Sequence, residues 1–388
     1  MSMQSNSSAE IIDPRFAPVA DLLGSFAKQD PGYSAQLAVY HAGVPVLDLA
    51  VGPDCTLDSL TGVFSCSKGA GAMVMGLLVQ DGVLDLEAPV ALYWPEFAAA
   101  GKASITVAQL LSHQAGLLGV EGGFTPEELT DSRLAAAILA AAEPVWSPGS
   151  THGYHALSMG VFMEELARRT TGESLQQIYA RLIRIPHDID FHLGLPEELE
   201  PRYTNVLAPL QGPPAPFMDP FSLLGLSVNS TAGFEGPEGP GYDFLQIPNV
   251  RAVRAGGISS LGGVASARGL ARLYAAASTG IQGPDGSIAP PILTAATQAA
   301  LSSERVFGAD RCVGTETAFG IVFMKPTPSN DFGSWRTFGH DGTNGALGYA
   351  DPAYSLGFGY VPTRAEEGGT ASRAGRLSTA VRQVLLAQ

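Results

Sequence analysis

The stretch from Leu60 to Gln80, Leu-Thr-Gly-Val-Phe-Ser-Cys-Ser-Lys-Gly-Ala-Gly-Ala-Met-Val-Met-Gly-Leu-Leu-Val-Gln, limits most strongly what this chain can fold into. It is apolar on nearly every side, the pattern of a helix buried all round. Between Asp58 and Asp81 it holds one charge, Lys68. An ammonium in such a place is costly unless it is paired or used. Ser65 and Lys68 are three residues apart, so a helix puts them on one face. Ser65 falls in the first turn, where free N–H groups and the positive dipole end favour a developing anion. Burial disfavours the charged lysine and turns it into a base. The pair therefore reads as a Ser-x-x-Lys nucleophile.

The bare pattern is common. With 31 serines and four lysines in the chain, about one third of a match is expected by chance. A second match, Ser25-Phe-Ala-Lys28, runs into Gln29-Asp30-Pro31-Gly32, a helix stop, and its lysine reaches water. The reading of Ser65 and Lys68 thus depends on the rest of the chain.

At 388 residues the chain can enclose a large core. Its formal charge of −15 argues against nucleic acid and against anionic membrane surfaces. Cys55, Cys66 and Cys312 form a sparse, odd set with no Cys-x-x-Cys, as suits a reducing compartment. The first ten residues have no basic or apolar segment of a signal peptide, and no apolar run is long enough to span a membrane. The expected location is the cytoplasm.

Pro14 to Lys28 has the apolar spacing of an amphipathic helix. Ala35 to Gly52 reads as two strands turning at His41-Ala42-Gly43. Residues 83–255 read as mostly helical, with helices at Thr106–His113, Leu134–Ala142 and Ala156–Thr170. Pro209 to Pro248 reads as a glycine- and proline-rich loop able to form a lid or pocket wall. Later come a helix over Ser266–Ser278, strands at Thr317–Met324, Trp335–Gly339, Gly345–Ala350 and Leu356–Val361, and a closing helix over Ser372–Ala387. Strands from both ends with helices between them imply an α+β fold, an antiparallel sheet flanked by the terminal helices and carrying a large, mostly helical insertion. The expected domains are 1–82 with 256–388, and 83–255, with the site in the cleft between them.

Two further segments carry chemistry. Tyr154, in Pro148-Gly-Ser-Thr-His-Gly-Tyr-His-Ala156, is placed at the start of a helix. Beside an ammonium its phenolate is favoured, and it can relay the serine proton. The plain alternative is a packed tyrosine with a locally satisfied hydroxyl. Phe338-Gly-His-Asp-Gly-Thr-Asn-Gly345 ends a strand and lets backbone approach a ligand. The N–H groups of Ser65 and Thr343 would make a two-donor oxyanion hole; the alternative is an ordinary hairpin. Gly-x-Ser-x-Gly is absent, which excludes the α/β-hydrolase elbow. His152, His155, His187 and His192 do not form a zinc pattern and read as loop histidines in water. Cys66 reads as a small buried apolar residue. No nucleotide motif is present, and neither metal nor cofactor is expected.

In this order the three segments resemble the serine β-lactamase and penicillin-binding-protein superfamily of the class C type. They are more closely similar to the family VIII carboxylesterases. Leu110-Leu-Ser-His-Gln-Ala-Gly-Leu117, Ala255-Gly-Gly-Ile-Ser-Ser260 and Ala350-Asp-Pro352 support the resemblance, which covers residues 15 to 385 or so. It implies a nucleophile at Ser65, a base at Lys68 and the second-motif tyrosine at Tyr154. His340-Asp341-Gly342 stands where the superfamily has Lys-Thr-Gly, and with His155 it forms the expected substrate-binding set. Tyr154-His155-Ala156 replaces Tyr-x-Asn. Both departures remove groups that hold a β-lactam, and esterases of the family tolerate them. The resemblance thus implies a serine hydrolase of small, short-chain carboxylic esters. A D-amino-acid peptidase, amidase or β-lactamase, or a non-catalytic binding protein of the same fold, is the alternative.

Overall fold

The computed structural model describes residues 9–125, 128, 131–209, 219–229, 235–236, 239–240, 244–366 and 368–387. Much of the loop expected at Pro209–Pro248 lies outside the described residues, as do residues 1–8 of the N-terminal segment.

A six-stranded antiparallel sheet is built from both ends of the chain. Its strands are β1 (Ile11–Ile12), β2 (Ala35–His41), β3 (Val44–Val51), β4 (Phe338–Asp341), β5 (Leu347–Asp351) and β6 (Leu356–Pro362). Their order across the sheet is β1-β3-β2-β6-β5-β4. The β2–β3 turn falls where the sequence places it, with Ala42 and Gly43 at positive φ, +49° and +80°.

Alternation along the strands splits the core in two. Leu37, Val39, Phe358 and Tyr360 face outward onto α1 (Ala17–Gln29) and the C-terminal helix. Ala38, Tyr40, Ala350 and Val361 face inward onto α2 (Cys66–Gln80) and the larger core. Every residue of α2 from Cys66 to Leu78 is buried, as its uniformly apolar sequence requires. The helical segment between contributes α3 (Ser158–Thr171). Next, α4 (Ala267–Ser278) is capped by the Ser266 side chain, and α5 (Arg373–Leu386) by Ser372. A Cβ on Gly359 would lie 2.3 Å from the Ala267 carbonyl. Glycine there lets α4 lie directly on the sheet.

Three expectations change. The strand foreseen over Thr317–Met324 ends at Phe319, and the observed strand is Glu316–Phe319, paired with Val306–Ala309. Val322, at φ +64°, reverses the chain, and Met324 then bridges both Phe319 and Gly339. This brings the hairpin to the β4 edge. The strand foreseen at Trp335–Gly339 starts only at Phe338. A small sheet of Thr61–Gly62, Gly263–Ala265 and Phe191–Leu193 is new. Two- and three-residue strands are too short to show an alternation. Among the described residues no helix is long and apolar enough to cross a membrane.

Candidate active site

The turn before α2 sets the nucleophile in place. Phe64 adopts φ +45°, an uncommon conformation for a bulky residue. Surrounding bonds hold it there: Val63 N–H donates to Gly263 O at 3.0 Å, Gly263 N–H to Ser67 Oγ at 2.8 Å, and Ser67 Oγ to Phe64 O. Ser65 thus becomes the N-cap residue of α2, with no capping bond from its side chain. Its hydroxyl is left for other partners.

Those partners are the two residues expected from the sequence. Lys68 Nζ donates to Ser65 Oγ at 3.0 Å and to Ser260 O at 2.8 Å. Tyr154 OH donates to Ser65 Oγ at 2.7 Å. The Lys68 Nζ lies 5.0 Å from the centre of the Tyr154 ring. Lys68 is fully buried, and burial pulls its pKa down to about 7, although the Asp341 carboxylate opposes the shift. Burial pushes Tyr154 far above the usual phenol range, a shift that its bond to Ser65 only partly offsets. The expected phenolate is therefore corrected: Tyr154 holds its proton and donates it to Ser65.

Tyr154 also sits differently. It lies in a loop, and α3 begins only at Ser158. Its N–H donates to Asp310 Oδ1 at 3.1 Å, and its carbonyl accepts from Ser227 Oγ at 2.5 Å. The ring stacks on Phe319 at 6.0 Å and leans on His113 and His340 at 5.2 and 5.9 Å. Sequence reasoning gave Ser260, within Ala255–Ser260, no role and passed over Asp310 and Ser227, because each acts through tertiary contact. The same holds for Glu164. Buried on α3, it accepts the Ser259 N–H at 3.0 Å and so fixes the segment that presents Ser260 O to Lys68.

Ser65, Tyr154, Asp341, Gly342 and Thr343 all line one cavity of about 360 Å³. Among the described residues, the N–H groups of Ser65 and Thr343 have no acceptor. Gly342 N–H donates to Ala346 O at 2.8 Å, and Asn344 Nδ2 donates to Gly62 O at 3.1 Å, which holds the loop against the turn before Ser65. A Cβ on Gly342 would approach Val63 O to 2.5 Å, so glycine permits this contact.

Two expected substrate contacts are displaced. His340 is fully buried and does not line the cavity; Nδ1 donates to Asp341 O at 2.8 Å, and Nε2 has no partner. On a β-strand, alternate side chains point to opposite faces, and His340 takes the inward one. His155 is likewise buried. Nδ1 donates to Gly153 O at 2.7 Å, Nε2 accepts the Leu117 N–H at 3.1 Å, and burial lowers its pKa to about 4. Its ring ties two loops together and leaves no group for a substrate.

Two of the other histidines are not the exposed loop residues expected, while His187 is half-buried in a turn. His152 is buried with Nε2 3.0 Å from Thr317 Oγ1, and His192 is buried with Nε2 3.2 Å from Asp190 Oδ1. Among the described residues, no three His, Cys, Asp or Glu side chains are placed to hold a metal ion.

Residues 20–382 match the Beta-lactamase protein family. The Esterase/beta-lactamase LipL of Mycobacterium tuberculosis is 33% identical over 366 residues, covering 91% of this chain and 82% of that protein. The solved structure of EstA from Arthrobacter nitroguajacolicus superposes with a TM-score of 0.93 at 54% identity, covering 98% of this chain and 99% of that one. A family VIII carboxylesterase structure superposes with a TM-score of 0.82 at 31% identity, over 96% of this chain and 98% of that one.

Proposed function

The chain belongs to the beta-lactamase family, and from that premise we propose that it is a serine carboxylesterase that cleaves small, short-chain esters through an acyl-enzyme. One observation carries this reading: a buried lysine with its pKa near 7 and a protonated tyrosine both reach the same serine oxygen. The similarity to LipL, to EstA and to a family VIII carboxylesterase supports it.

Neutral Lys68 takes the Ser65 hydroxyl proton as Oγ bonds the ester carbonyl carbon. The carbonyl electron pair moves onto oxygen, which the N–H groups of Ser65 and Thr343 receive at the positive end of α2. The alcohol's C–O bond then breaks. Tyr154 OH protonates the departing oxygen and is reprotonated from the Lys68 ammonium. Water adds to the acyl-enzyme with its proton passing to the same pair, and the acid and free Ser65 are regenerated. In this scheme three parts of the molecule supply the groups: Ser65 and Lys68 come from the N-cap and first turn of α2, Tyr154 from the helical segment and Thr343 from the edge of the sheet. This supports a cleft between residues 1–82 with 256–388 and residues 83–255. All three cysteines are free, which supports the cytoplasm as the protein's location.

A fluorophosphonate probe followed by peptide mapping tests the proposal. Labelling at Ser65 in the wild type, with loss of labelling and of p-nitrophenyl acetate turnover in Ser65→Ala, is expected. Labelling that persists in Ser65→Ala refutes the assignment, and Ser25→Ala should alter neither.

A further inference from the structure

The electrostatics of the cavity point to the class of ester it takes. Every lysine, arginine and histidine of the chain lies within the described residues. Of these, only Lys325 lines the cavity. Its Nζ donates to Trp335 O at 2.9 Å and also to Thr337 O. Burial lowers its pKa to about 8, a shift that the carboxylates of Asp351 and Glu304 oppose. Lys68 lies behind Ser65 and is mostly neutral in mild alkali. No cation other than Lys325, whose ammonium is tied to the Trp335 and Thr337 carbonyls, lines the cavity.

Two carboxylates do. Asp341 and Glu316 line the same cavity as Ser65. Asp341 is half-buried, with its side chain 32% exposed. Oδ2 accepts from the neutral amide of Asn330 at 3.1 Å, and Oδ1 lies 3.7 Å from His340 Nδ1. Among the described residues it pairs with neither lysine nor arginine. His340 does not supply the missing charge, because burial, together with Lys68 nearby, pulls its pKa down. The Asp341 field reaches the reacting groups, since it opposes the downward shift of Lys68 and adds to the upward shift of Tyr154. A partly desolvated carboxylate without a counter-ion attracts a cation and repels an anion far more than one in open water.

We propose that the cavity selects esters bearing a positive charge over their neutral isosteres and rejects those bearing a carboxylate, with Asp341 as the discriminating group. This rests on the esterase reading above. An ammonium group within a few ångströms of Asp341 gains attraction in both the ground and the transition state. The preference is therefore expressed in kcat/KM, mainly through KM.

The test compares three charges at matched size in two series. The alcohol series is acetylcholine, its carbon isostere with tert-butyl in place of trimethylammonium, and the acetyl ester of a hydroxy acid of similar length. The acyl series is the phenyl esters of β-alanine, butanoic acid and succinic acid. Each kcat/KM is normalised to the rate with hydroxide. In at least one series the cation should lead the neutral ester by about tenfold and the anion should trail it by as much. Asp341→Asn should shrink that lead to within about threefold, and Glu316→Gln should shrink it less. Added salt should lower wild-type kcat/KM for the cation, raise it for the anion and leave the neutral ester unchanged. A neutral ester that equals or beats the cation in both series overturns the proposal, as does a lead that survives Asp341→Asn or a flat salt response. If neutral esters are turned over by Ser65 without charge preference, only the selectivity fails. If no ester in either series is turned over, the esterase reading fails with it.

Discussion

At the scale of single residues, Lys68 decides most of what can be measured. Its neutral form is the base, so kcat/KM for a neutral ester should rise with pH through about 7 and then level. A profile flat from pH 6 to 9, or so, would mean that Lys68 stays charged. The same group shapes stability. Its pKa is lower folded, about 7, than the ordinary 10.5. Between those values the unfolded chain holds a proton that the folded one lacks, so stability climbs as pH rises through that window. Lys68→Met should abolish turnover yet unfold at higher urea than wild type at about pH 7, with a smaller advantage at about pH 10. An advantage independent of pH would assign the gain to packing alone. Lys68→Ala and Tyr154→Phe should each lower kcat by roughly two to four decades, and the double variant little further, because groups that act as one unit are not additive. A strictly additive loss would place them in separate steps. Since the one lysine that lines the cavity, Lys325, is tied to the Trp335 and Thr337 carbonyls, p-nitrophenyl acetate should be turned over about 10²-fold faster than nitrocefin, whose carboxylate goes unmatched. Nitrocefin turnover equal to that of the ester would favour the β-lactamase alternative.

At the scale of elements, close approach between α3 and the segment before Gly263 fixes the Lys68 anchor. A Cβ on Gly160 would lie 2.6 Å from the Ser260 backbone nitrogen, which cannot move aside as a flexible side chain can. Ser260 O is the carbonyl that holds Lys68. Gly160→Ala should therefore cost about 1–3 kcal/mol of stability, as overpacking does, and lower kcat with it. Gly24, in α1, has nothing within 4 Å of such a Cβ. Gly24→Ala should instead add about 0.5–1 kcal/mol and leave kcat alone. Urea midpoints and kcat for the two variants check both signs; Gly160→Ala with unaltered kcat would show that the anchor tolerates the shift.

At the scale of the whole molecule, the termini must meet for the sheet to close on its outer side. Arg373, at the start of α5, ties them. It reaches Asp30 Oδ2 at 3.0 Å and Glu366 Oε2 at 3.2 Å, and lies 4.3 Å from the centre of the Tyr33 ring. Arg373→Ala removes charged hydrogen bonds worth about 1.5–3 kcal/mol and should lower the urea midpoint accordingly. Because this anchor is on the face of the sheet away from Ser65, kcat should hold. A midpoint within error of wild type would show that the packing of α1 and α5 suffices without it.

The sequence alone determined what depends on local pattern and covalent order. Uniform apolarity over Cys66–Leu78 dictates a buried helix, and three-residue spacing puts Ser65 beside Lys68. The turn at His41-Ala42-Gly43 makes Ala35–Gly52 a hairpin, and the helices expected from Thr106, Ser266 and Ser372 each begin one residue later with that residue as the N-cap. Tertiary structure alone decided what depends on which atoms meet across long chain separations. It kept Tyr154 protonated, because the depth of burial outweighs the hydrogen bond to Ser65. It turned His340 and His155 into the interior, since a residue's place in a motif does not reveal which way its side chain points. It ended the Thr317–Met324 strand at Phe319 and reversed the chain at Val322, whose positive φ no propensity foretells. It also put Asp341 on the cavity that Ser65 lines, paired with neither lysine nor arginine among the described residues, a charge arrangement that exists only once strand, loop and hairpin have closed around the cavity.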